Sequence, residues 1–376
     1  MADSRRILIA GGGIAGLTLA LALRRKGLMP ELVERRPQWP AIGAGIAIQP
    51  NAMRTLSGLG IAGAIEDAGA AIHRWCFADH TGRTLCETDL DDLWSGVGAF
   101  VGIARSALHR ELLAAAGPFP HRLGVSVTAV ARGPGEVTVA FSDGSEGRYA
   151  VVVGCDGLDS AVRRSLGGVT LVDGRQMVWR SQALLHRPSQ QLEFFIGEGS
   201  FFGLCPTGNG WTYGFGNVTQ PRVHDPIDGR LARLRSRFAE YGRAVQDYLG
   251  ALAAAVDDAG IHCSPIEWVA EPSWGEGRVV IIGDAAHATS PMMGQGGCLA
   301  IEDACVLADL LHATSDWSNL VPALAARRNP RVTWVRQQSV AAGDGFRQPA
   351  AVRNAFLTEH GDRALRARYA PLREPA

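Results

Sequence analysis

The feature that most constrains this chain is a glycine-rich turn near its start. Residues 6–10 predict a strand, residues 14–26 carry apolar side chains at helical spacing, and residues 31–33 predict a second strand. The turn has the spacing Gly11-x-Gly13-x-x-Gly16, in which Ile14 and Ala15 are intervening residues. A strand, a helix and a strand in this order form a βαβ unit, so the sequence predicts an α/β fold with parallel strands.

The turn also predicts a ligand, because a dinucleotide pyrophosphate requires what these glycines supply. They permit a tight turn, let the backbone approach the ligand and direct a helix N-terminus at the anion. Glu34 ends the second strand, 18 residues after Gly16. A carboxylate there accepts hydrogen bonds from a ribose diol and repels a 2′-phosphate. The pattern favours FAD or NAD, and the adjacent Arg35 and Arg36 leave NADP open.

A second motif lies at 278–304, where a predicted buried strand ends in Gly283-Asp284. On this dipeptide alone, a helix-capping aspartate would be the better interpretation. A glycine loop follows, however, and leads into an amphipathic helix; its residues include Pro291, Gly294, Gln295, Gly296, Gly297 and Cys298. An NAD dehydrogenase has no use for a second acid here, whereas a flavin has ribityl hydroxyls to donate and an anionic reduced ring to stabilise.

A third motif, Cys155-Asp156-Gly157, follows the β-branched strand 151–153. Alone it indicates a turn with a capping acid. Residues 173–217 are aromatic and strand-like. We therefore predict a nucleotide-binding domain of residues 1–70, 98–172 and 272–330. We also predict an inserted mixed-sheet α+β substrate domain of residues 71–97 and 173–271, and a C-terminal helical segment at 331–376.

In this order and spacing, the three motifs resemble those of the class A (single-component) flavoprotein monooxygenases, the p-hydroxybenzoate hydroxylase-like group. The resemblance covers about residues 5–340. The Gly-Gln-Gly-Gly-Cys variant at 294–298 is similar to the branch that holds urate hydroxylases, salicylate hydroxylase-like enzymes and zeaxanthin epoxidases. The resemblance to this family implies that the discontinuous nucleotide-binding domain is a Rossmann-like FAD-binding domain.

The resemblance implies non-covalent FAD, NADPH or NADH as a transient reductant, and O₂. A flavin C4a-hydroperoxide would then hydroxylate or epoxidise an aromatic or alkene small molecule. Glu34 would bind the adenosine ribose, Asp284 the ribityl chain, Asp156 both FAD and nicotinamide, and the backbone of 294–298 the isoalloxazine. Pro291 and Arg105 would lie beside the flavin. Arg35, Gly45 and Val127 complete the predicted cofactor-binding set.

The aromatic strands predict the substrate pocket, because they would face the flavin. Its candidate walls are Trp179, Phe195, Phe202 and Phe215. Tyr213 is the candidate for phenol activation, and Arg180 for holding an anionic substituent or the nicotinamide nucleotide. Phe201 and Phe202 stand where a urate hydroxylase is expected to have a basic residue, which favours a larger apolar ring over urate.

Composition excludes several other classes. Lys+Arg and Asp+Glu are both 37, so there is no electrostatic footprint for nucleic acid. No apolar run reaches the ~18 residues of a membrane span. The 7 cysteines contain no C-x-x-C pair, so we expect reduced thiols, no metal site and a cytoplasmic location. We also expect a monomer or a homodimer.

Three other classes share parts of this pattern. A flavin halogenase would need a lysine far from the first turn, and the only lysine is Lys26 in the first helix. An NAD(P) dehydrogenase explains the first 35 residues and leaves 283–298 without a role. An FAD-dependent oxidase or dehydrogenase, or a non-catalytic flavin-binding protein on the same scaffold, remains open from the residues alone.

Overall fold

The structure is a computed structural model that describes residues 6–39, 44–133, 135–185 and 189–376. Its strands are β1 (Ile7–Ala10), β2 (Pro30–Glu34), β3 (Gly45–Ile48), β4 (Ala70–Ala71), β5 (Arg74–Asp79), β6 (Thr84–Asp89), β7 (Val101–Ala104), β8 (His121–Leu123), β9 (Val127–Arg132), β10 (Val137–Phe141), β11 (Glu146–Tyr149), β12 (Val151–Gly154), β13 (Leu171–Leu184), β14 (Gln191–Ile196), β15 (Ser200–Gly208), β16 (Trp211–Thr219), β17 (His262–Val269), β18 (Gly275–Glu276) and β19 (Val279–Ile281). Its helices are α1 (Ile14–Arg25), α2 (Pro50–Gly58), α3 (Ala62–Ala68), α4 (Leu90–Leu93), α5 (Arg105–Ala116), α6 (Ala161–Ser165), α7 (Arg230–Arg237), α8 (Arg243–Ala255), α9 (Asp284–His287), α10 (Gly296–Ala313), α11 (Leu320–Phe346) and α12 (Ala350–Tyr369).

The first layer is a sheet with the order β18-β19-β12-β1-β2-β8, in which all pairs except β18–β19 are parallel. β1 and β12 are buried along their whole length: α1 packs on β1 and β2, and α6 packs on β12. α1 in turn packs against α5 and α10. Residues 15–23 of α1 are consequently all buried. The predicted βαβ unit and the Rossmann-like layer are confirmed.

The second layer is a mixed sheet with the order β17-β13-β16-β15-β14-β5-β6. β14 pairs in parallel with β5, and the other neighbours are antiparallel. Residues 74–89 and 171–269 therefore contribute to one sheet. Two smaller sheets, β11-β10-β9 and β3-β7-β4, flank the layers. The mixed α/β class with an inserted mixed sheet is the one predicted.

Three of the predicted domain boundaries fall inside continuous elements, the first of them between the two residues of β4. β13 begins at Leu171, before the boundary drawn after residue 172, because its first residues pair with the end of β17. The boundary after residue 330 lies within α11, which continues through Pro330. In the described part of the chain, no helix is both long and apolar enough to cross a membrane.

Candidate active site at the edge of the parallel sheet

The three predicted motifs meet in space because they follow parallel strands whose carboxyl ends share one edge of the sheet. The turns after β1, β12 and β19 open onto two joined cavities. The larger, of about 720 Å³, extends past the glycine turn and Glu34. The smaller, of about 520 Å³, lies between the 284–297 segment and the mixed sheet. Both are lined by Gly13, Ile14, Arg105, Cys155, Gly157 and Arg180.

The glycine turn has the close approaches that require glycine. Gly11 has φ +108°, and a Cβ there would lie 2.4 Å from the Cys155 carbonyl oxygen. A Cβ at Gly16 would lie 1.9 Å from the Gly11 carbonyl oxygen. Gly13 precedes α1 and offers no side-chain cap, so the first N–H groups of α1 remain available to an anion in the larger cavity.

Glu34 lines the larger cavity at the end of β2. Its Oε2 accepts a hydrogen bond of 2.8 Å from the Gly12 N–H, and its Oε1 accepts one of 2.9 Å from the Arg36 N–H. Each carboxylate oxygen can accept a further bond, so the site suits a ribose diol. Arg35 and Val127, two other residues of the predicted cofactor-binding set, line the same cavity.

Two aromatic rings in this cavity were missed at the sequence level. Trp39 lies over the glycine turn, where a Cβ at Gly12 would be 2.5 Å from its ring, and its centroid is 5.2 Å from that of His109. The His109 Nε2 lies 2.9 Å from the Gly12 carbonyl oxygen, and burial lowers the pKa of His109. A neutral imidazole thus donates to that carbonyl. No motif spacing marks either residue.

Asp156 caps a helix with one carboxylate oxygen and leaves the other without a partner beside the larger cavity. Its Oδ2 accepts hydrogen bonds from the N–H groups of Ala161 (2.7 Å) and Val162 (3.2 Å), which caps α6. Its Oδ1 is buried and has no partner among the residues that the structure describes. Because Asp156 also lines the larger cavity, this oxygen fits a hydroxyl donated by a ligand.

The 283–298 segment divides into residues that face the smaller cavity and residues behind it. Asp284 is exposed and lines the cavity together with Ala15, Gly45, Pro291, Gly294, Gly296 and Gly297. Gly283, with φ +62°, packs behind them against Ala15 and Ala300. The side chains of Gln295 and Cys298 also point away, so as cofactor contacts they are restricted to their backbone.

A buried polar network fixes this loop from behind. The Gln295 amide donates to Gln49 Oε1 (2.6 Å) and Asn51 Oδ1 (3.1 Å), and Asn51 donates to Glu302 Oε1 (2.9 Å). The Cys298 sulfur accepts from the Gln49 N–H at 3.4 Å. These contacts join α2 to the start of α10 across about 250 residues of sequence.

The network ends in buried charges. Arg328 donates to Asp303 Oδ1 (2.7 Å) and Glu302 Oε2 (2.8 Å), and all three side chains are 0% exposed. Asp303 also pairs with His287 at 2.6 Å and accepts from the Gly283 N–H at 3.1 Å. Burial would raise the pKa of Asp303, but the charges of His287 and Arg328 outweigh it and hold that pKa below its ordinary value.

The mixed sheet presents one face to the smaller cavity and packs its other face against α7 and α8. The cavity-facing side chains are Trp75, Val178, Arg180, Leu192, Phe194, Phe201, Tyr213, Phe215 and Asn217. The prediction that Trp179, Phe195 and Phe202 line the pocket is therefore wrong. Each is one residue out of phase and lies in the core with α7 and α8; Phe202, for example, has its ring 5.0 Å from Phe238. Of the predicted walls, Phe215 is the one that faces the cavity.

The two predicted catalytic residues lie together. Arg180 donates to Ser264 Oγ at 2.9 Å, and Tyr213 lies under Gly45, where a Cβ would be 2.4 Å from the tyrosine Cβ. Burial raises the pKa of Tyr213, and the charges of Arg180 and Arg105 oppose that rise without reversing it. The phenol is consequently protonated at neutral pH. Lys26 lies on the outer side of α1, paired with Asp309.

The comparisons with known proteins agree with this geometry. The family described as FAD binding domain matches residues 5–338. The chain belongs to this family. It is 34% identical over 338 residues to aurachin C monooxygenase/isomerase of Stigmatella aurantiaca, covering 85% of this chain and 83% of the relative. It is also 34% identical over 367 residues to a 3-amino-4-hydroxybenzoate 2-monooxygenase of Streptomyces platensis, covering 92% and 89%.

Among solved structures, HpxO of Klebsiella pneumoniae in complex with FAD and uric acid superposes with a TM-score of 0.82. The identity is 28%, and the match covers 99% of this chain and 93% of that one. Together with the family match, these relatives confirm the class A resemblance. The protein is an FAD-dependent monooxygenase. The glycine turn and the unpaired Asp156 oxygen fit FAD, with NAD(P)H and O₂ as the standard co-substrates of such enzymes.

Proposed function

We propose that this monooxygenase hydroxylates an aromatic small molecule with little or no charge. The observation that carries the proposal is the composition of the sheet wall over the smaller cavity. Phe201 and Phe215 dominate its centre, their centroids are 6.3 Å apart, and Phe194 adjoins both. Such a wall favours an apolar ring by burial and by stacking.

The charged groups around the cavity favour the same class. Arg180 is the cation on the sheet wall and is hydrogen-bonded to Ser264. Glu267 also lines the cavity, paired at 3.1 Å with the exposed Arg222. Arg105 lines the cavity from outside the mixed sheet. On the sheet wall itself, the Glu267 carboxylate repels an anionic ring. Three relatives carry names that point to ring substrates: uric acid, an aminohydroxybenzoate and aurachin C.

Bound FAD supplies the redox chemistry by taking a hydride from NAD(P)H and activating O₂. The overall reaction converts substrate, O₂, NAD(P)H and a proton into hydroxylated substrate, water and NAD(P)⁺. In our proposal Glu34 binds the adenosine ribose, the free Asp156 oxygen accepts from the cofactor, and Asp284 accepts from the ribityl chain. The N–H groups of 295–297 would face the flavin ring, since the Gly294 N–H donates to the Pro291 carbonyl, and Arg105 would lie beside the ring.

The chain's own residues then position the substrate and exclude water. The phenyl rings of Phe201 and Phe215 hold the substrate ring, and the protonated Tyr213 hydroxyl donates a hydrogen bond to it. Arg180, next to Tyr213, stabilises negative charge that develops on the substrate when a proton leaves. Tyr213 can act as a hydrogen-bond donor at neutral pH because burial raises its pKa and keeps the hydroxyl protonated.

The experiment is a screen for stimulated NADPH oxidation by the FAD-loaded protein, with hydrogen peroxide measured in parallel. The panel contains urate, 3-amino-4-hydroxybenzoate, phenols, indoles and naphthols. We expect stimulation with little peroxide from the weakly charged rings. Phe201→Arg should lose that stimulation and gain response to anionic rings, whereas Phe202→Leu, on the other face, should keep the wild-type preference. Coupled turnover of urate alone would contradict the proposal.

A further inference from the structure

Asn217 is a polar side chain in the aromatic wall of the smaller cavity that has no role in the chemistry described above. It lies on β16, is 1% exposed, and lines the cavity. Its Nδ2 is buried and has no hydrogen-bond acceptor among the described residues. A buried amide N–H without an acceptor costs stability, so its presence at this position calls for a partner that enters the cavity.

The neighbours of Asn217 cannot supply that partner. Across the sheet it is paired with Val178 on β13 and Phe201 on β15, and both of their side chains line the same cavity. Phe215 precedes it by two residues on the same face. All three neighbours are apolar. The wall therefore presents a single amide at the end of a row of hydrocarbon side chains.

We propose that the Asn217 amide recognises a neutral oxygen substituent, a hydroxyl or a carbonyl, on a fused bicyclic aromatic substrate. The inference rests on the proposed function and narrows its substrate class. Along β16, Asn217 lies about 7 Å beyond Phe215 and about 13 Å beyond Tyr213. A bicyclic ring stacked on Phe215 spans the first of these two distances, from Phe215 to Asn217, and places its far oxygen against the amide. Glu267 lines the same cavity, and its negative charge makes a neutral oxygen a better partner for this wall than a carboxylate.

The test compares two probes of matched shape, 2-naphthol and 2-methylnaphthalene, which differ in the oxygen. Their binding to the FAD-loaded protein is measured from the change in flavin absorbance. Wild type is expected to bind 2-naphthol at least ~10-fold more tightly. In Asn217→Leu, a substitution that keeps the number and branching of the side-chain heavy atoms, the ratio should fall to ~2-fold or less through weaker binding of 2-naphthol. Thr212→Val, a buried polar residue on the opposite face of the same strand, should keep the wild-type ratio.

Stability gives an independent readout. Because Leu removes an unpaired donor, the apparent Tm of Asn217→Leu should equal or exceed that of wild type. A lower Tm with equal weakening of both probes would make Asn217 a structural residue and overturn the proposal. A retained 10-fold preference in Asn217→Leu would overturn it while leaving the proposed function standing. If neither probe binds wild type and only charged rings stimulate NADPH oxidation, both the proposed function and the Asn217 assignment are wrong.

Discussion

Replacing Arg328 by leucine tests whether the buried charges hold the 283–298 segment in place. Arg328 is completely buried and donates to two buried carboxylates, Asp303 and Glu302. Breaking a buried ion pair from one side costs about 3–5 kcal/mol because a charge is left without its partner. Here each carboxylate keeps other contacts, Asp303 with His287 and Glu302 with Arg331, so we expect about 3 kcal/mol.

That loss converts into a measurable shift in melting temperature. With an unfolding entropy of about 2.1 cal/mol/K per residue, a chain of 376 residues changes its stability by ~0.8 kcal/mol per kelvin near Tm. Arg328→Leu should therefore lower the apparent Tm by ~4 °C. It should also release FAD more readily, since Glu302 anchors Asn51 and through it Gln295 behind the loop.

The assay is thermal unfolding followed by intrinsic fluorescence, with flavin fluorescence recorded in the same scan. Arg327→Leu is the matched control, because it makes the same substitution one residue away at an exposed position. It should change Tm by less than ~1 °C, as surface substitutions usually do. An equal shift in the two variants would refute the reasoning that the buried network carries the stability of this region.

Three further predictions concern the cavities. Asp284→Ala should raise the Kd for FAD at least ~10-fold, because a carboxylate partner of the ribityl chain is lost, while the Tm of the apoprotein stays unchanged. The control Asp309→Ala should leave the Kd for FAD unchanged. Full flavin occupancy in Asp284→Ala would contradict the assignment. Gly203→Ala places a Cβ 2.1 Å from the Phe215 ring and should raise the substrate KM and destabilise the fold by about 1–3 kcal/mol; an unchanged KM would argue against Phe215 as a wall. Because burial raises the pKa of Tyr213, Tyr213→Phe should lower kcat without altering the shape of the kcat–pH profile between about pH 6 and 9. Loss of a limb of that profile would mean that the phenol ionises in this range.

The sequence was informative where the chemistry is local. Gly11, Gly13, Gly16 and Glu34 lie within one βαβ unit, and their spacing alone determines which atoms face the ligand. Asp156 and Asp284 each follow a buried strand of the same parallel sheet, so their meeting at its edge follows from topology. The cofactor and the class of enzyme could therefore be predicted.

The faces of the mixed sheet could not be predicted, because both are buried. The pairs Phe194-Phe195 and Phe201-Phe202 show no alternation of polar and apolar residues, which is the usual signal for which side faces a core. Register then decides, and it is set by pairing with distant strands. Because the predicted face was shifted by one residue, Trp179, Phe195 and Phe202 were assigned to the cavity wall, whereas they lie in the core beneath α7 and α8.

The loop network was missed for a different reason. Gln49 immediately precedes α2 and Asn51 lies in its first turn, about 250 residues before Gln295 and Glu302. Amide side chains at such positions carry no signal of what they bond. Asn217 likewise resembles any polar residue in a strand until its neighbours are known. Such contacts depend on the packing of elements that are far apart in the chain.

The two-faced sheet also bears on how this scaffold could be given new substrates. On β13, β15 and β16, residues that line the cavity alternate with residues that pack against α7 and α8, and the 283–298 segment is held by a separate polar network. Changes at Val178, Phe201, Phe215 or Asn217 accordingly leave the core beneath α7 and α8 in place. They affect one another, because Asn217 is paired with Val178 and Phe201, and Phe201 packs near Phe215. Selection for a different ring would therefore act on a small set of coupled positions that lies apart from the helix-packed core.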